Sequence, residues 1–294
     1  MIEDVKKLKC GKINEEIDLK KYTSYKLDEK ARMLVTVENV KELTKLLKYL
    51  KENNIKHKIV GGFSNLIFDG YYDGVLIKLD MKDLKIEEDY IKVGAGYNLI
   101  SLALKASKKG LTGFEFATGI PGTVGGAIYN NSGAYGSDMG YIVKSVTVLT
   151  PDLEIKTMLN KELDYHYRTS FFKNNDGYVI LDATIVLKRG EKEAIMDIIE
   201  DRKKRRIESQ PLEYPSAGSV FRNPPSLYAG KLIEDIGLKG YKIGGAEVSL
   251  KHANFIINSG GATGKDIASL INLIQTKVKE KYDVDLKLEQ EIVK

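Results

Sequence analysis

Several kinds of chemistry are missing from this 294-residue chain. A single cysteine, Cys10, excludes an internal disulfide framework and a cysteine-based zinc site. Only three histidines occur, His57, His166 and His252, and none is set in HExxH, so no metal is expected. No stretch approaches the roughly 18 apolar residues of a membrane span. The opening MIEDVKKLKCGKINEEIDL is charged and lacks the apolar core of a secretory signal, so a cytoplasmic protein is expected. Lys plus Arg number 46 against 41 Asp plus Glu, a net charge of +5, which is too evenly mixed for a nucleic-acid binder. GxGxxG, GKS/GKT and GxSxG are absent, which removes the dinucleotide fingerprint, the phosphate loop and the hydrolase nucleophile elbow. Nothing points to nucleic acid, a membrane or an obligate protein partner.

What is present is an ordinary globular composition, 43% hydrophobic and 30% charged, organised around Gly113–Gly136, GFEFATGIPGTVGGAIYNNSGAYG. Glycine costs about 1 kcal/mol per helical position, so this run is not an ordinary amphipathic helix. Two readings fit it. Bare backbone can bring N–H groups to a nucleotide or flavin, or the turns can be purely structural.

Around this run, strands and helices alternate, as in mixed α/β layers. A helix is expected over 38–53, with Val40, Leu43, Leu47 and Leu50 on one face. Strands are expected at 35–37, 57–60, 74–79, 91–93 and 182–187, and a hairpin at 143–149 and 154–158. A second helix covers 98–109, and a long basic one, with Arg202 to Arg206, covers 191–207. It leads into QPLEYPSAGSVFRNPP at 210–225. Helices at 226–236 and from 263, opened by a capping box in Thr263-Gly-Lys-Asp266, precede a terminal strand over 284–292. In that strand Leu286, Leu288 and Ile292 face one way, and Glu289 and Glu291 the other.

Three further segments carry candidate chemistry. Gly61-Gly62-Phe63-Ser64-Asn65-Leu66 after a strand is a phosphate-turn pattern, weak on its own. Tyr165-His166-Tyr167-Arg168-Thr169-Ser170-Phe171-Phe172 is either an arginine clamp for an anion or an aromatic sheet edge. Ser219 lies in AGSVFRNP, and a serine can deliver a proton to a strongly basic acceptor when its alkoxide is stabilised.

EFATGIPGTVGGAIYNNSGAYG resembles the flavin-binding segment of the UDP-N-acetylenolpyruvoylglucosamine reductase family. GGFSN is similar to its GxGSN loop, YRTSF to its YRxSxF, and AGSVFRNP to its serine segment. HANFIIN is similar to its HxxFIxN, and LKLEQEI to its terminal glutamate motif. The matches run in family order from about Thr23 to Glu291. The resemblance implies a mixed α/β (α+β) fold: a two-subdomain FAD-binding fold of the vanillyl-alcohol-oxidase/PCMH type and a C-terminal α/β substrate-binding domain. Divisions are expected at 1–78, 79–205 and 206–294, in the shorter family type without an extra tyrosine loop.

It also implies non-covalent FAD, NADPH as co-substrate and UDP-N-acetylglucosamine enolpyruvate as substrate, reduced to UDP-N-acetylmuramate for peptidoglycan. FAD contacts carry over to Gly61, Gly62, Phe63, Ser64, Asn65 and Leu66, then to Gly119, Ile120, Pro121, Gly122, Thr123, Gly125 and Gly126, and to Asn131, Gly133, Ala134 and Tyr135. Phe63 stands where the family usually carries glycine, which implies either another turn geometry or a ring projecting outward. Arg168, Ser219 and Glu291 carry over as catalytic residues, with Ser219 the proton donor and Arg168 and Glu291 stabilising an enolate-like charge. Tyr167, Asn223 and His252 carry over as substrate contacts, although His252 also suits a loop-fixing hydrogen bond. The rival functions are another FAD oxidoreductase of this fold, acting on an alcohol or sugar, and a non-catalytic nucleotide-binding module.

Overall fold

The computed structural model describes residues 2–88 and 90–294. Contacts group the chain into two compact units, each assembled from separated segments. One comprises 1–15, 33–62 and 74–204, and the other 16–32, 63–73 and 205–294. Strands Lys12–Asp18, Lys30–Val37 and Tyr72–Leu79 run from one unit into the other.

In the larger unit the alternation of apolar residues builds an antiparallel five-stranded sheet, ordered Ile155–Leu159, Val143–Leu149, Val179–Ile185, Ile91–Gly94, Leu84–Ile86. Its register sets Val146 between Met158 and Ala183, all buried, so the hairpin expected around Pro151 is present. His57–Val60 pairs in parallel with Tyr72–Leu79, placing His57 opposite Val75. The helix Val40–Glu52 buries Leu43, Leu46, Leu47 and Leu50, and Asn39 caps it by accepting the Glu42 N–H. Helix Leu99–Lys108 packs through Leu99, Leu102, Ala103 and Ala106. The basic helix Lys192–Ser209 buries only Ile195 and Ile199, so its charged residues form a largely solvated face.

In the smaller unit a three-stranded antiparallel sheet, Lys242–Ile243, Ala246–Val248 and Ile256–Asn258, packs with helices Ala229–Asp235 and Gly264–Tyr282. The latter buries Ile267, Leu270, Ile271, Ile274 and Val278, each stabilising by about 1.5–3 kcal/mol. Its capping box forms as expected, with Thr263 Oγ1 accepting from Asp266 N–H and Asp266 Oδ2 from Thr263 N–H.

The expected strand over 284–292 shrinks to Glu291–Val293, parallel to Leu66–Phe68. Side chains and single bridges satisfy the preceding backbone instead of a ladder. Gln275 donates to Leu286 C=O, Asn65 to Glu289 C=O, and Phe221 bridges Leu288. Among the described residues, no helix is long and apolar enough to cross a membrane, and no cluster of His, Cys, Asp and Glu could hold a metal.

Candidate active site

The glycine-rich run folds as a 3₁₀ turn, Glu115–Gly119, an extended stretch to Thr123, a short helix Val124–Asn130 and a tight pairing of Gly133–Ala134 with Ser137–Asp138. Thr123 caps the helix by accepting the Gly126 N–H at 3.3 Å. The next donors are taken up by the chain itself, Val124 N–H by Tyr97 C=O and Gly125 N–H by Ala95 C=O, both at 2.9 Å. Glycine is required here by close approach. A Cβ on Gly62 would lie 2.8 Å from Gly122 Cα, and one on Gly61 2.5 Å from Thr123 Oγ1. Gly125 and Gly133 are equally tight, against Ala95 and Ser137. Gly62 therefore lies against the backbone of Gly122 and Thr123, and Gly61 against the Thr123 side chain, with Ile120 and Gly122 half-buried and Pro121 exposed. Gly62 is exposed and Gly122 half-buried, so backbone without side chains is open here, a surface suited to a phosphate group.

Asn131 adopts a left-handed backbone, φ 44°, and is buried. Its Oδ1 accepts from Gly140 N–H and its Nδ2 donates to His166 C=O, each at 2.9 Å. The amide thus ties the cradle to the turn that carries Arg168. Tyr135 stacks on Arg202, ring to guanidinium 4.8 Å, and its hydroxyl donates to Arg202 C=O.

His166 and Thr169 exchange two backbone hydrogen bonds of 3.0 Å, leaving Tyr167 and Arg168 at the tip. Arg168 has φ 55°, a conformation costing a non-glycine residue about 1–2 kcal/mol. Its guanidinium donates to Gly133 C=O at 2.6 Å and lies 5.0 Å from the Tyr167 ring. Buried Ser170 donates to Tyr129 C=O at 2.7 Å, a second anchor for the turn. His166 is exposed and bonds Asp164.

Ser219, in the smaller unit, is half-buried on a segment gripped from two sides. On one side Asn254 accepts from Phe221 N–H at 3.0 Å and donates to Phe221 C=O at 2.8 Å, while Val220 N–H donates to Asn254 C=O. On the other, Glu289 N–H donates to Val220 C=O and Arg222 N–H to Lys287 C=O. Glu291, two residues on, opens the terminal strand, half-buried, opposite Leu66 and donating its N–H to Asn65 C=O at 3.0 Å. Ser219 and Glu291 are thereby built into one framework, whereas Arg168 is held by the other unit.

Asn65 directs its side-chain amide to Glu289 C=O at 3.0 Å, and Ser64 beside it is half-buried. Phe63 corrects an expectation. Its φ of 57° keeps the left-handed geometry that glycine would supply, but the ring is buried rather than projecting outward. It packs against Tyr22 and Phe68 at centroid distances of 5.5 and 6.3 Å.

Asn223 is exposed, and its Oδ1 accepts the Ala229 N–H at the start of a helix. His252 accepts the Asn254 N–H on Nδ1 and packs on Phe255, which is the loop-fixing arrangement. Burial, aided by Lys239, holds its pKa below the ordinary value and favours the neutral ring.

Sequence reading missed Asn254, Gln290 and Tyr25. Gln290 left a signal, because it falls in phase with Leu286, Leu288 and Ile292 and is buried like an apolar residue. Asn254 and Tyr25 left none, since their partners are 33 and 265 residues away.

Residues 31–158 match the family described as FAD binding domain, and residues 210–293 the family described as UDP-N-acetylenolpyruvoylglucosamine reductase, C-terminal domain. The UDP-N-acetylenolpyruvoylglucosamine reductase of Bacillus licheniformis is 41% identical over 100% of this chain and 98% of its own length. That of Lactobacillus helveticus is 44% identical over 96% and 95%. A crystal structure of the reductase from Thermus caldophilus superposes with a TM-score of 0.83 at 32% identity, covering 96% of this chain and 100% of that one.

Proposed function

The chain belongs to the UDP-N-acetylenolpyruvoylglucosamine reductase family, and on that premise we propose that it reduces UDP-N-acetylglucosamine enolpyruvate to UDP-N-acetylmuramate, using NADPH and non-covalently bound FAD. The observation that carries the reading is the two-sided grip on the Ser219 segment. The sequence around this serine lacks the GxSxG elbow, and Asn254, Lys287 and Glu289 fix the backbone of Val220, Phe221 and Arg222 that follow it. Such a serine suits proton delivery better than nucleophilic attack.

FAD would rest on the glycine turns at 61–62 and 119–123, and when bound it would supply the hydride equivalent drawn from NADPH. Addition of that hydride to C3 of the enolpyruvyl double bond leaves an electron pair at C2, delocalised into the carboxylate. Arg168, aimed by Gly133 C=O, supplies positive charge to this developing anion, and Glu291 supports it. Ser219 gives its hydroxyl proton to C2, completing the lactyl ether.

The test is an anaerobic visible spectrum of the purified protein, taken before NADPH, after it, and after enolpyruvyl substrate. Yellow absorbance should bleach and then return. In Ser219→Ala bleaching should persist, while the return slows by about 10²-fold or more. Arg168→Ala and Glu291→Gln should slow the same half-reaction. A parent flavin that bleaches and stays reduced with substrate would overturn the substrate assignment, and unimpaired return in Ser219→Ala would remove the serine from its role.

A further inference from the structure

We infer that Gln290, oriented by Tyr25, is a positioning residue that holds the Ser219 turn in register with the strand bearing Glu291; the catalytic part of this inference rests on the function proposed above. Gln290 is buried, 3% exposed, at a position whose alternation calls for an apolar side chain. Its Nε2 donates to Gly218 C=O at 3.0 Å and lies 3.4 Å from Ser219 C=O. Its Oε1 accepts the Tyr25 hydroxyl at 2.9 Å. Two carbonyls on one side and a phenol on the other leave one amide orientation that satisfies every partner.

Burying a primary amide is costly unless each group is paired, and leucine would fill the position without that cost. The amide therefore serves geometry rather than burial. Gly218 shows what it holds. This glycine has φ 80° and open space where a Cβ would stand, so its side-chain position contributes no packing, and the Gln290 hydrogen bond holds its carbonyl.

Tyr25 is itself locked. It is fully buried, its backbone C=O accepts from Asn258 Nδ2 at 3.0 Å, and burial raises its phenol pKa far above the usual range. The protonated hydroxyl donates to Gln290 Oε1. Glu291 follows Gln290 directly, with its N–H on Asn65 C=O, so one two-residue step holds the backbone at both proposed catalytic residues.

Gln290→Leu and Tyr25→Phe test this in the flavin-loaded protein. Flavin content and the NADPH bleaching rate should stay within about twofold of the parent. Reoxidation at saturating UDP-N-acetylglucosamine enolpyruvate should fall about 10- to 100-fold in Gln290→Leu, and less in Tyr25→Phe. The half-saturating substrate concentration should change by less than about threefold, since the loss lies in alignment and not in affinity.

Reoxidation within twofold of the parent, or an equal fall in both half-reactions, would overturn the inference. If Gln290→Leu does not fold, Tyr25→Phe decides by the same criteria. Hydrogen exchange separates this result from failure of the proposed function. If the parent flavin is never reoxidised by substrate, the function fails, while faster exchange at both 217–222 and 289–293 in Tyr25→Phe, with Gly264–Tyr282 unchanged, would sustain the structural coupling. Unchanged exchange at 217–222 would refute it.

Discussion

Replacing Phe63 by glycine should harm the protein less than replacing it by alanine. At most buried positions the order is the opposite, because glycine gives the unfolded chain more freedom and forfeits about 0.5–1 kcal/mol relative to alanine. Phe63 is buried at 3% exposure between Tyr22 and Phe68, so losing the ring by truncation to alanine should cost about 3–5 kcal/mol. Its φ of 57° adds a second term. A left-handed backbone costs a residue with a Cβ about 1–2 kcal/mol, which alanine retains and glycine sheds. Setting that relief against the entropy term leaves Phe63→Gly more stable than Phe63→Ala by about 0.5–1 kcal/mol, with both below the parent. Urea unfolding followed by far-UV circular dichroism should place the glycine variant's midpoint about 0.2–0.5 M above that of alanine, at equal slope. An alanine midpoint equal to or above that of glycine would refute the left-handed assignment. A parent less stable than either variant would refute the packed ring.

Asn254→Ala should destabilise by about 2–4 kcal/mol, because Phe221 N–H and C=O are left buried without partners; a loss under about 0.5 kcal/mol in the same urea assay would contradict the two-sided grip. Asp266→Asn should cost about 0.5–1 kcal/mol at neutral pH, as the carboxylate accepts Thr263 N–H at the helix start. That hydrogen bond holds the Asp266 pKa below its ordinary 3.8, so its contribution is present above 3.8 and is lost as pH falls through the lower folded value. The gap between parent and variant should therefore close in acid, and a gap independent of pH would remove the carboxylate from the cap.

Local signals in the sequence were enough for much of the fold. The helix Gly264–Tyr282 was legible from its capping box and apolar period, and the sheet hairpin from alternation around Pro151. Both depend on residues within a few positions of each other. The terminal segment shows where this fails. Alternation through Leu286, Leu288 and Ile292 reads as a continuous strand, yet only Glu291–Val293 finds a ladder partner, Leu66–Phe68, more than two hundred residues earlier. Alternation records which face is buried, not whether a neighbouring backbone is available for pairing.

The candidate site divides in the same way. By itself the sequence determined the residue types, the glycine run, Arg168 between aromatics, Ser219 and Glu291, because those patterns are contiguous. It also established the family likeness they carry. Only the tertiary structure decided that Asn131 engages the arginine turn and that Asn65 braces Glu289, just before the terminal strand. It also decided that the Phe63 ring is buried despite a left-handed backbone, and that Gln290 is an interior polar residue. The physical reason is that an amide side chain has no fixed meaning in one dimension. Asn and Gln are equally suited to solvent, a ligand or the backbone, and the choice is made by whichever unpaired N–H or C=O the folded chain brings within about 3 Å.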